Sequence, residues 1–403
     1  MVNVAILGFG VVGSGVAEIL DKNARQIAQK TGQEIVLKYI LDLRDFPESP
    51  YKDKFIKDFA VIENDPDVSV VVETIGGAGA ARDFSARAFR AGKSVVSSNK
   101  ELIAEHGCQM LQLARQNGTS YLFEASVGGG IPILRPLSQC LAANELSEIC
   151  GILNGTTNYI LTRMIQAGCS LESALKEAQE KGYAERDPSA DLEGRDACRK
   201  ICILASIAFG RHIMPEQVPT EGINNVALAD VAYADSCGRK IKLLGRAMRR
   251  QDGKVCAYVA PHLVSAGDPL AGVEDVFNAI TVKGDAIGEV MFYGRGAGKL
   301  PTASAVVADV MEIARGPRGS RLMAWMPGGA DAAVPPNELS ARWYVRTNAP
   351  ASRARTGLGN LELLGRAGAP AGEIAFLTGF LTRSELKKAL GGLEILSVFQ
   401  VLN

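Results

Sequence analysis

A segment crowded with acidic residues leads into a lysine, and this combination can do proton chemistry. Residues 182–200 read GYAERDPSADLEGRDACRK, and Asp196 and Lys200 stand four positions apart, so they share one face of a helix. The next residues, ICILASIAFG, are nearly all apolar, which puts Lys200 at the edge of a buried helix. A desolvated lysine beside carboxylates can act in proton transfer, and the carboxylates can hold a substrate ammonium. The alternative is a solvated helix start, where acidic residues suit the helix dipole.

Glycines near the start of the chain have the spacing of a dinucleotide-binding turn. The apolar run from Val4 to Leu7 indicates a buried strand, and Gly8, Gly10 and Gly13 follow it at G-x-G-x-x-G spacing. The first glycine permits a tight turn, the second leaves room for a pyrophosphate, and the third lets helix and strand pack closely. The following helix start offers free N–H groups to the phosphates. The alternative is an ordinary glycine-rich turn, but the preceding strand favours dinucleotide binding.

The elements that must position these residues alternate through the first 135 residues. Short apolar strands alternating with helices are typical of a Rossmann-type α/β fold, a doubly wound parallel sheet. The later strands are predicted at 34–41, 69–74, 94–97 and 119–124, with helices at 80–91 and 101–117.

The rest of the chain divides by composition into further regions. We predict a dinucleotide-binding domain over 1–135, to which the glycine turn and helix at 294–313 return, and an α+β domain for substrate and dimer contacts over 136–293. A stretch rich in Gly, Pro and Ala at 314–338 is the predicted linker, and 339–403 is a small separate α+β module. In that module Thr382 and Glu385 have the spacing of a capping box.

The composition excludes several functional classes. The 44 basic and 44 acidic residues balance, which argues against nucleic acid and anionic membranes as partners. Eight scattered cysteines without a C-x-x-C pair and three histidines argue against a zinc site. A strand beginning at residue 2 leaves no room for a signal peptide, and apolar runs are too short for a membrane span. We therefore expect a reduced, cytoplasmic enzyme.

Several motifs in consistent order resemble homoserine dehydrogenase. They are the 182–200 segment, SSNKELIA at 97–104, FEASVGGGIPI at 123–133, GILNGTTNYIL at 151–161 and YGRGAGKLPTASAVVAD at 293–309. The resemblance spans about residues 1–312. It implies interconversion of L-homoserine and L-aspartate 4-semialdehyde with NAD or NADP, in the biosynthesis of threonine, methionine and isoleucine. It also implies a homodimer or larger homo-oligomer, formed through the sheet of the middle domain.

The resemblance assigns roles to specific side chains. Lys100 and Lys200 correspond to the two lysines that serve proton transfer, although Lys100 could instead be a surface lysine at a helix start. Glu185 is the side chain we expect to hold the substrate ammonium, and Asp196 is spaced to hold Lys200. The implied substrate-binding set is Glu185, Asp191, Asp196, Asn154, Gly155 and Thr156.

The cofactor preference depends on the end of the second strand. Asp42 could accept a hydrogen bond from a ribose 2′-hydroxyl and repel a 2′-phosphate, although it lies further along than usual, which a long first helix would explain. Arg44 is two positions on, so we favour NAD and leave NADP open. The expected cofactor-binding residues are Gly8, Phe9, Gly10, Val11, Val12, Gly13, Asp42, Ser98, Asn99, Lys100 and Gly298.

A glycine-rich loop resembles the family's monovalent cation site. The resemblance implies that the Glu124 carboxylate and the backbone carbonyls of Val127, Gly129 and Ile131 hold a cation, most simply Na⁺. A glycine run exposes carbonyls, and hard cations prefer oxygen ligands. The role would be structural, and the alternative is a plain tight loop between domains.

The tail resembles an ACT domain, a small α+β module that many family members use for amino-acid feedback. The loop TNAPASRA after its first strand departs from the usual Asp-x-Pro-Gly type, and one strand is hard to find near 367–372. Threonine sensing and a degenerate domain for dimer contact both stay open. Two other readings of the whole chain are a non-catalytic, dinucleotide-bound sensor of amino acids and another amino-acid or semialdehyde dehydrogenase of similar two-domain plan. The retained lysines and the 182–200 segment favour homoserine dehydrogenase over both.

Overall fold

The structure, a computed structural model, describes residues 1–316 and 324–402. These residues form two β-sheets with helices packed on them. The strands are β1 (Val2–Leu7), β2 (Ile35–Leu41), β3 (Phe55–Ile56), β4 (Val68–Glu73), β5 (Ser94–Ser97), β6 (Tyr121–Leu122), β7 (Leu146–Ile152), β8 (Arg239–Arg249), β9 (Val255–Ser265), β10 (Phe277–Gly284), β11 (Gly288–Arg295), β12 (Ala333–Val334), β13 (Trp343–Thr347), β14 (Glu362–Leu364), β15 (Ile374–Leu377) and β16 (Ile395–Val401).

The helices lie between these strands, and their order follows the chain. None of those that the structure describes is long and apolar enough to cross a membrane. They are α1 (Val11–Lys22), α2 (Ala24–Thr31), α3 (Ala60–Glu63), α4 (Gly79–Arg90), α5 (Lys100–Gln116), α6 (Leu134–Ser138), α7 (Gly155–Ala167), α8 (Leu171–Glu180), α9 (Ser189–Leu192), α10 (Arg195–Phe209), α11 (Leu228–Ser236), α12 (Lys299–Ala314), α13 (Ala351–Leu358) and α14 (Arg383–Ala389).

The first sheet confirms the predicted Rossmann-like fold. Its six strands are parallel and lie in the order β3-β2-β1-β4-β5-β6, so the strand order reverses between β1 and β4. Such a switch point opens a crevice at the carboxyl ends of the strands, where ligands bind. The apolar stretch Val4 to Leu7 of β1 is fully buried, as its sequence predicts.

Two predicted elements of this region differ from the structure. The strand predicted at 119–124 is shortened to β6 because the chain turns into a 3₁₀ helix at Glu124–Ser126. The single long helix expected before β2 is two helices, α1 and α2, which meet at Asn23. Two consecutive helices still account for the long separation between the glycine turn and Asp42.

Helix α12 lies against α1 on the first sheet. The close approach needs a small residue, since a Cβ added at Gly15 would lie 2.9 Å from the carbonyl oxygen of Lys299. Apolar side chains of both helices, including Val16 and Val306, share one core with the strands. The start of α12 is thereby held beside the glycine turn.

The second sheet is mixed and contains ten strands. Their order is β11-β10-β7-β8-β9-β16-β13-β15-β14, with β12 beside β9. Strands β8 and β10 were not anticipated, because charged residues interrupt the apolar pattern of β8. One of them, Lys242, is buried, and its Nζ donates to the side-chain oxygen of Asn158 at 3.1 Å. The pattern therefore hid a strand that carries a buried, hydrogen-bonded lysine.

The tail continues the second sheet rather than forming a sheet of its own. Strand β16 pairs in parallel with β9, and Gln400 lies opposite His262. A buried carboxylate adds to this connection, since Asp230 in α11 accepts from Arg346 Nε at 2.7 Å. The predicted capping box is present at the start of α14, and the strand sought near 367–372 lies earlier, at β14. Residues 317–323 of the predicted linker lie outside the described residues.

Candidate active site

A cavity of about 690 Å³ opens between the two sheets. The glycine turn and the start of α5 contribute to one wall, and the starts of α7 and α10 contribute to the other. It brings together all of the predicted catalytic and substrate-binding residues. Those that line it are Lys100, Lys200, Asn154, Gly155, Thr156, Glu185, Asp191 and Asp196.

Asp196 is the centre of the charged group in this cavity. Its Oδ2 lies 2.7 Å from Lys200 Nζ, and its Oδ1 lies 3.1 Å from Lys100 Nζ. The side chains of Asp196 and Lys200 are almost entirely buried, while that of Lys100 is partly exposed. Lys200 also donates to the carbonyl oxygen of Leu153 at 2.7 Å. Among the described residues these two contacts leave one N–H of Lys200 for a ligand in the cavity.

The charges around Asp196 fix the protonation of this group. Burial favours the neutral acid, but the positive charges of Lys200 and Lys100 outweigh it and hold the pKa of Asp196 well below its usual range. In turn the Asp196 carboxylate raises the pKa of Lys100 above its ordinary value. At neutral pH Asp196 is therefore ionised and Lys100 is cationic.

Asn154 organises the polar turn that the sequence singled out. Its side-chain oxygen accepts from the backbone N–H of Thr157 at 2.8 Å and so caps α7. Its amide nitrogen donates to Asp191 Oδ1 at 2.6 Å and to Asp196 Oδ2 at 2.8 Å. Asn154 therefore orients two carboxylates, a role that sequence spacing did not indicate.

The remaining predicted substrate residues form the rim of the cavity. Glu185 is exposed there, and burial raises the pKa of Asp191, with the nearby Asp196 charge adding to the effect. Thr156 Oγ1 donates to the carbonyl oxygen of Tyr183 at 2.7 Å, which ties the start of α7 to the loop before α9. A Cβ on Gly155 would lie 2.8 Å from the Val276 carbonyl oxygen, so this position needs a glycine.

The glycine turn has the geometry of a dinucleotide site. Gly8 has φ +89°, and a Cβ on Gly13 would lie 2.0 Å from the carbonyl oxygen of Gly8. Gly10 has open space around its Cβ position and stands at the start of α1. Val11 and Val12 line the cavity beside it. Strand, turn and helix N-terminus therefore leave room for a pyrophosphate where the dipole favours it.

Asp42 is held at the end of β2 by the turn and by Arg44. One carboxylate oxygen accepts from the backbone N–H of Phe9 at 2.7 Å. The other accepts from the backbone N–H and Nε of Arg44, at 2.9 and 3.0 Å. The guanidinium of Arg44 holds the pKa of Asp42 well below its usual range, although burial opposes this.

The other predicted cofactor residues lie at two helix starts. Ser98 lines the cavity, and Asn99 caps α5 by accepting from the backbone N–H of Leu102 at 3.0 Å. Gly298 stands directly before α12 with φ +124°, a conformation that favours glycine. Both helix starts face the crevice that the glycine turn borders.

Glu124 is buried and is already well supplied with hydrogen bonds. One carboxylate oxygen accepts from the backbone N–H groups of Ile133 and Leu134, at 2.6 and 2.8 Å, and the other from Arg135 at 2.7 Å. The glycines of the adjoining loop have positive φ, 73° at Gly128 and 54° at Gly129. The carboxylate therefore fixes the start of α6, a role that the sequence did not indicate.

A buried acid at the end of β4 escaped the sequence analysis. Glu73 closes the otherwise apolar run VSVVVE, and its side chain has no exposed surface. It stands at the carboxyl end of the first sheet, under the turn that precedes Lys100. The signal in the sequence that could have identified Glu73 is a carboxylate that ends an apolar strand, where a buried side chain is expected.

Fold and site together define a nicotinamide-dependent oxidoreductase in which two lysines share a buried carboxylate beside the cofactor crevice. Residues 132–311 match the family described as "Homoserine dehydrogenase", and residues 8–124 match "Homoserine dehydrogenase, NAD binding domain". The chain belongs to the homoserine dehydrogenase family. It is an NAD(P)-dependent enzyme that interconverts L-homoserine and L-aspartate 4-semialdehyde, a step in threonine, methionine and isoleucine biosynthesis.

Individual relatives show the same similarity across most of the chain. A homoserine dehydrogenase from Neisseria gonorrhoeae is 40% identical over 358 residues, which are 86% of this chain and 82% of that protein. The solved structure of one from Thiobacillus denitrificans has a TM-score of 0.90 at 32% identity, and covers 100% of this chain and 98% of that one. A hyperthermophilic archaeal homoserine dehydrogenase in complex with NADPH has a TM-score of 0.66 at 29% identity, covering 77% and 97%.

Replacing Asp196 by Asn tests the charged centre. The variant removes the negative charge between the two ammonium groups, so the pKa of Lys100 falls and the alkaline limb of the pH–rate profile moves to lower pH. We expect kcat to fall at least about 10-fold, within the range of positioned acid–base groups. The measurement is steady-state reduction of L-aspartate 4-semialdehyde across pH, the direction in which a lysine donates the proton.

Glu193→Gln is the matched control, since Glu193 is exposed on the same segment and pairs with Arg195. It should retain the wild-type profile. An unchanged alkaline limb and kcat in Asp196→Asn would contradict the role of this carboxylate.

Proposed function

We propose that Lys200 and Lys100 handle the proton that accompanies hydride transfer. The main support is that both ammonium groups contact one buried carboxylate, Asp196, at the cavity wall. Lys100 contacts its Oδ1, and Lys200 contacts its Oδ2. No other pair of lysines among the residues lining the described cavity shares a carboxylate in this way.

The chemistry then follows from what each group can do. The bound nicotinamide supplies the hydride acceptor or donor. When the aldehyde is reduced, its oxygen becomes an alkoxide, and a protonated lysine at the cavity wall donates the proton to it. When homoserine is oxidised, the neutral amine form of that lysine accepts the hydroxyl proton. Asp196 stabilises the ammonium form, and Asn154 keeps Asp196 in place by the hydrogen bond between them.

We propose that the acidic residues at the rim of the cavity orient the substrate. Glu185 is exposed at the cavity and free to receive the homoserine ammonium, and Asp191 shares the Asn154 amide with Asp196. The start of α7, from Gly155, offers backbone N–H groups to the substrate carboxylate. The substrate hydroxyl would then point to Asp196 and its lysines.

Replacing Lys200 by Ala tests the proton-handling role. We expect kcat to fall by about 10²–10⁴, the usual contribution of a positioned acid or base. Lys100 still neutralises Asp196, so the fold and NAD binding should persist. Stopped assays of homoserine oxidation and NADH fluorescence titration measure the two properties.

Lys176→Ala serves as the control, because Lys176 is exposed, and it should retain wild-type turnover. Near-normal turnover in Lys200→Ala would remove this lysine from the mechanism. A lost NAD affinity would instead indicate a general defect of the site.

We propose NAD as the preferred cofactor, with NADP as the alternative. Support comes from the ionised Asp42 at the end of β2, whose negative charge opposes a 2′-phosphate. Arg44 is the opposing feature, because its guanidinium could pair with that phosphate if Asp42 released it. The archaeal relative solved with NADPH keeps the alternative open.

Replacing Asp42 by Ala should shift the preference toward NADP. The variant removes the repelling charge and frees Arg44, so the ratio of kcat/KM for NADP to that for NAD should rise about 10-fold, as for loss of one charged discriminating contact. The control is Asp45→Ala, which removes an equal charge from the same loop but pairs with Lys57. An unchanged ratio would mean that specificity lies elsewhere.

We also propose a monovalent cation, Na⁺, at the Glu124 loop. The three N–H groups on its carboxylate leave capacity for one further contact, and the carbonyls of Val127, Gly129 and Ile131 belong to the same tight turn. The buried Asp309 accepts from the Glu124 backbone N–H at 2.8 Å and pairs with Arg135, which ties this loop to α12. The cation would stabilise the connection between domains and take no part in the reaction.

We propose that the chain forms a homodimer through its second sheet. Edge strand β11 exposes Met291 and Tyr293, and its outer edge pairs with no strand among the described residues. An exposed apolar edge strand invites pairing with another chain.

We propose, for the tail, an ACT-like module that binds threonine as an effector. The support is its α+β composition, with β13, β15 and β16 forming an antiparallel group beside α13 and α14. Its continuity with β9 gives a direct route to the substrate region. A module that serves dimer contact alone is the alternative.

A further inference from the structure

The buried carboxylate of Glu73 links two turns at the carboxyl end of the first sheet. Glu73 ends β4 and lies opposite Ser97, which ends β5. Its Oε1 accepts from the backbone N–H of Ile75 at 2.7 Å, and its Oε2 accepts from Ser97 Oγ at 2.5 Å. A buried carboxylate with no exposed surface needs such bonds, because its desolvation is costly.

The bonds continue from Ser97 to the helix that begins with Lys100. Ser97 Oγ accepts from the backbone N–H of Asn99 at 3.1 Å. The Asn99 side chain donates to the carbonyl oxygens of Ile75 and Gly77, at 3.0 and 2.8 Å, and its oxygen caps α5. Glu73 and Asn99 therefore both connect the turn after β4 to the turn after β5.

These hydrogen bonds fix the backbone position of Lys100, from which its side chain extends to Asp196. Lys100 is the first residue of α5, directly after Asn99, and its Nζ contacts Asp196 across the cavity. A small rotation of the start of α5 would displace the Lys100 ammonium. A displacement of about 1 Å can reduce the rate about 100-fold.

We propose that Glu73 is a positioning residue for Lys100: its ionised carboxylate fixes the Ser97–Asn99 turn and so sets the place of the Lys100 ammonium in the site. This inference rests on the proposed role of Lys100. Glu73 touches neither substrate nor cofactor and acts through the turn.

The charge state of Glu73 makes the role pH-dependent. Burial raises the pKa of Glu73 to about 7, although the bonds from Ser97 and Ile75 oppose this. Among the described residues, the titratable side chain that interacts electrostatically with Glu73 is Tyr121 of β6. Burial raises the pKa of Tyr121, and the Glu73 charge adds to this effect, so Tyr121 stays neutral. When Glu73 takes up a proton, its O–H competes with the Ser97 hydroxyl as donor, and the ordered chain to Asn99 is lost.

Glu73→Gln tests the inference because the amide copies the protonated carboxyl in shape and charge. The measurement is kcat for homoserine oxidation from about pH 6 to about pH 8.5, on either side of the Glu73 titration. At the lower pH the variant should match the wild type within about 2-fold, and at the higher pH it should be about 10-fold slower. KM for homoserine should stay within about 2-fold throughout.

A second pair of variants tests the link without altering the buried acid. Ser97→Ala removes the hydroxyl that joins Glu73 to Asn99, and it should reduce kcat about 10-fold at the higher pH. Ser94→Ala is the matched control, since Ser94 begins the same strand at the far end and accepts from Ser120. It should retain wild-type kcat.

Combining Glu73→Gln with Lys100→Ala separates this inference from the role of Lys100. If Glu73 acts through Lys100, the Gln substitution should have no further effect on kcat in the Lys100→Ala background. A constant ratio of wild-type to Glu73→Gln rates across pH, or an undiminished effect in that background, would overturn the inference. Wild-type turnover in Lys100→Ala alone would instead overturn the proposed function of Lys100.

Discussion

The ion pairs that Asp196 forms with two lysines connect the catalytic chemistry to the architecture. A carboxylate this buried is costly unless it is paired, and leaving such a group without any charged partner costs about 3–5 kcal/mol. Lys200 comes from the same helix, α10, but Lys100 comes from α5 on the first sheet. The charged group therefore holds the two sheets in one relative position, with the cavity between them.

The surrounding elements maintain this position. Arg199, next to Lys200, reaches Glu101 and Glu105 on α5, at 3.4 and 3.6 Å, so the same two helices meet through further charges. Asn154 joins α7 to Asp196, while Glu73 and Asn99 fix the start of α5 from below. The cofactor crevice is built by the same sheet that carries Lys100. The cofactor crevice and the proposed proton-transfer lysines are therefore positioned by one set of contacts.

Local sequence patterns predicted much of this arrangement, and the rest depended on distant contacts. The glycine spacing and the apolar β1 specified the cofactor turn, and the i,i+4 relation specified the Asp196–Lys200 pair, because both are set by neighbouring residues. The resemblance gave Lys100 a role in the site, but its pairing with Asp196 joins residues far apart in the chain and was not predicted. Strand β8 was missed because Lys242 looks exposed by type but is buried and bonded to Asn158. Continuity of β16 with β9 likewise depends on a pairing that no local pattern encodes.

A crystal structure with NADH and L-homoserine, a pair that cannot react because both are reduced, tests the central claim most directly. Our account predicts the substrate hydroxyl within about 3 Å of the Nζ atom of Lys200 or Lys100, the usual reach of a proton-transfer group. It also predicts that both lysines still contact Asp196 and that the substrate ammonium lies at Glu185. A hydroxyl bound away from both lysines, or lysines separated from Asp196 in the complex, would contradict it.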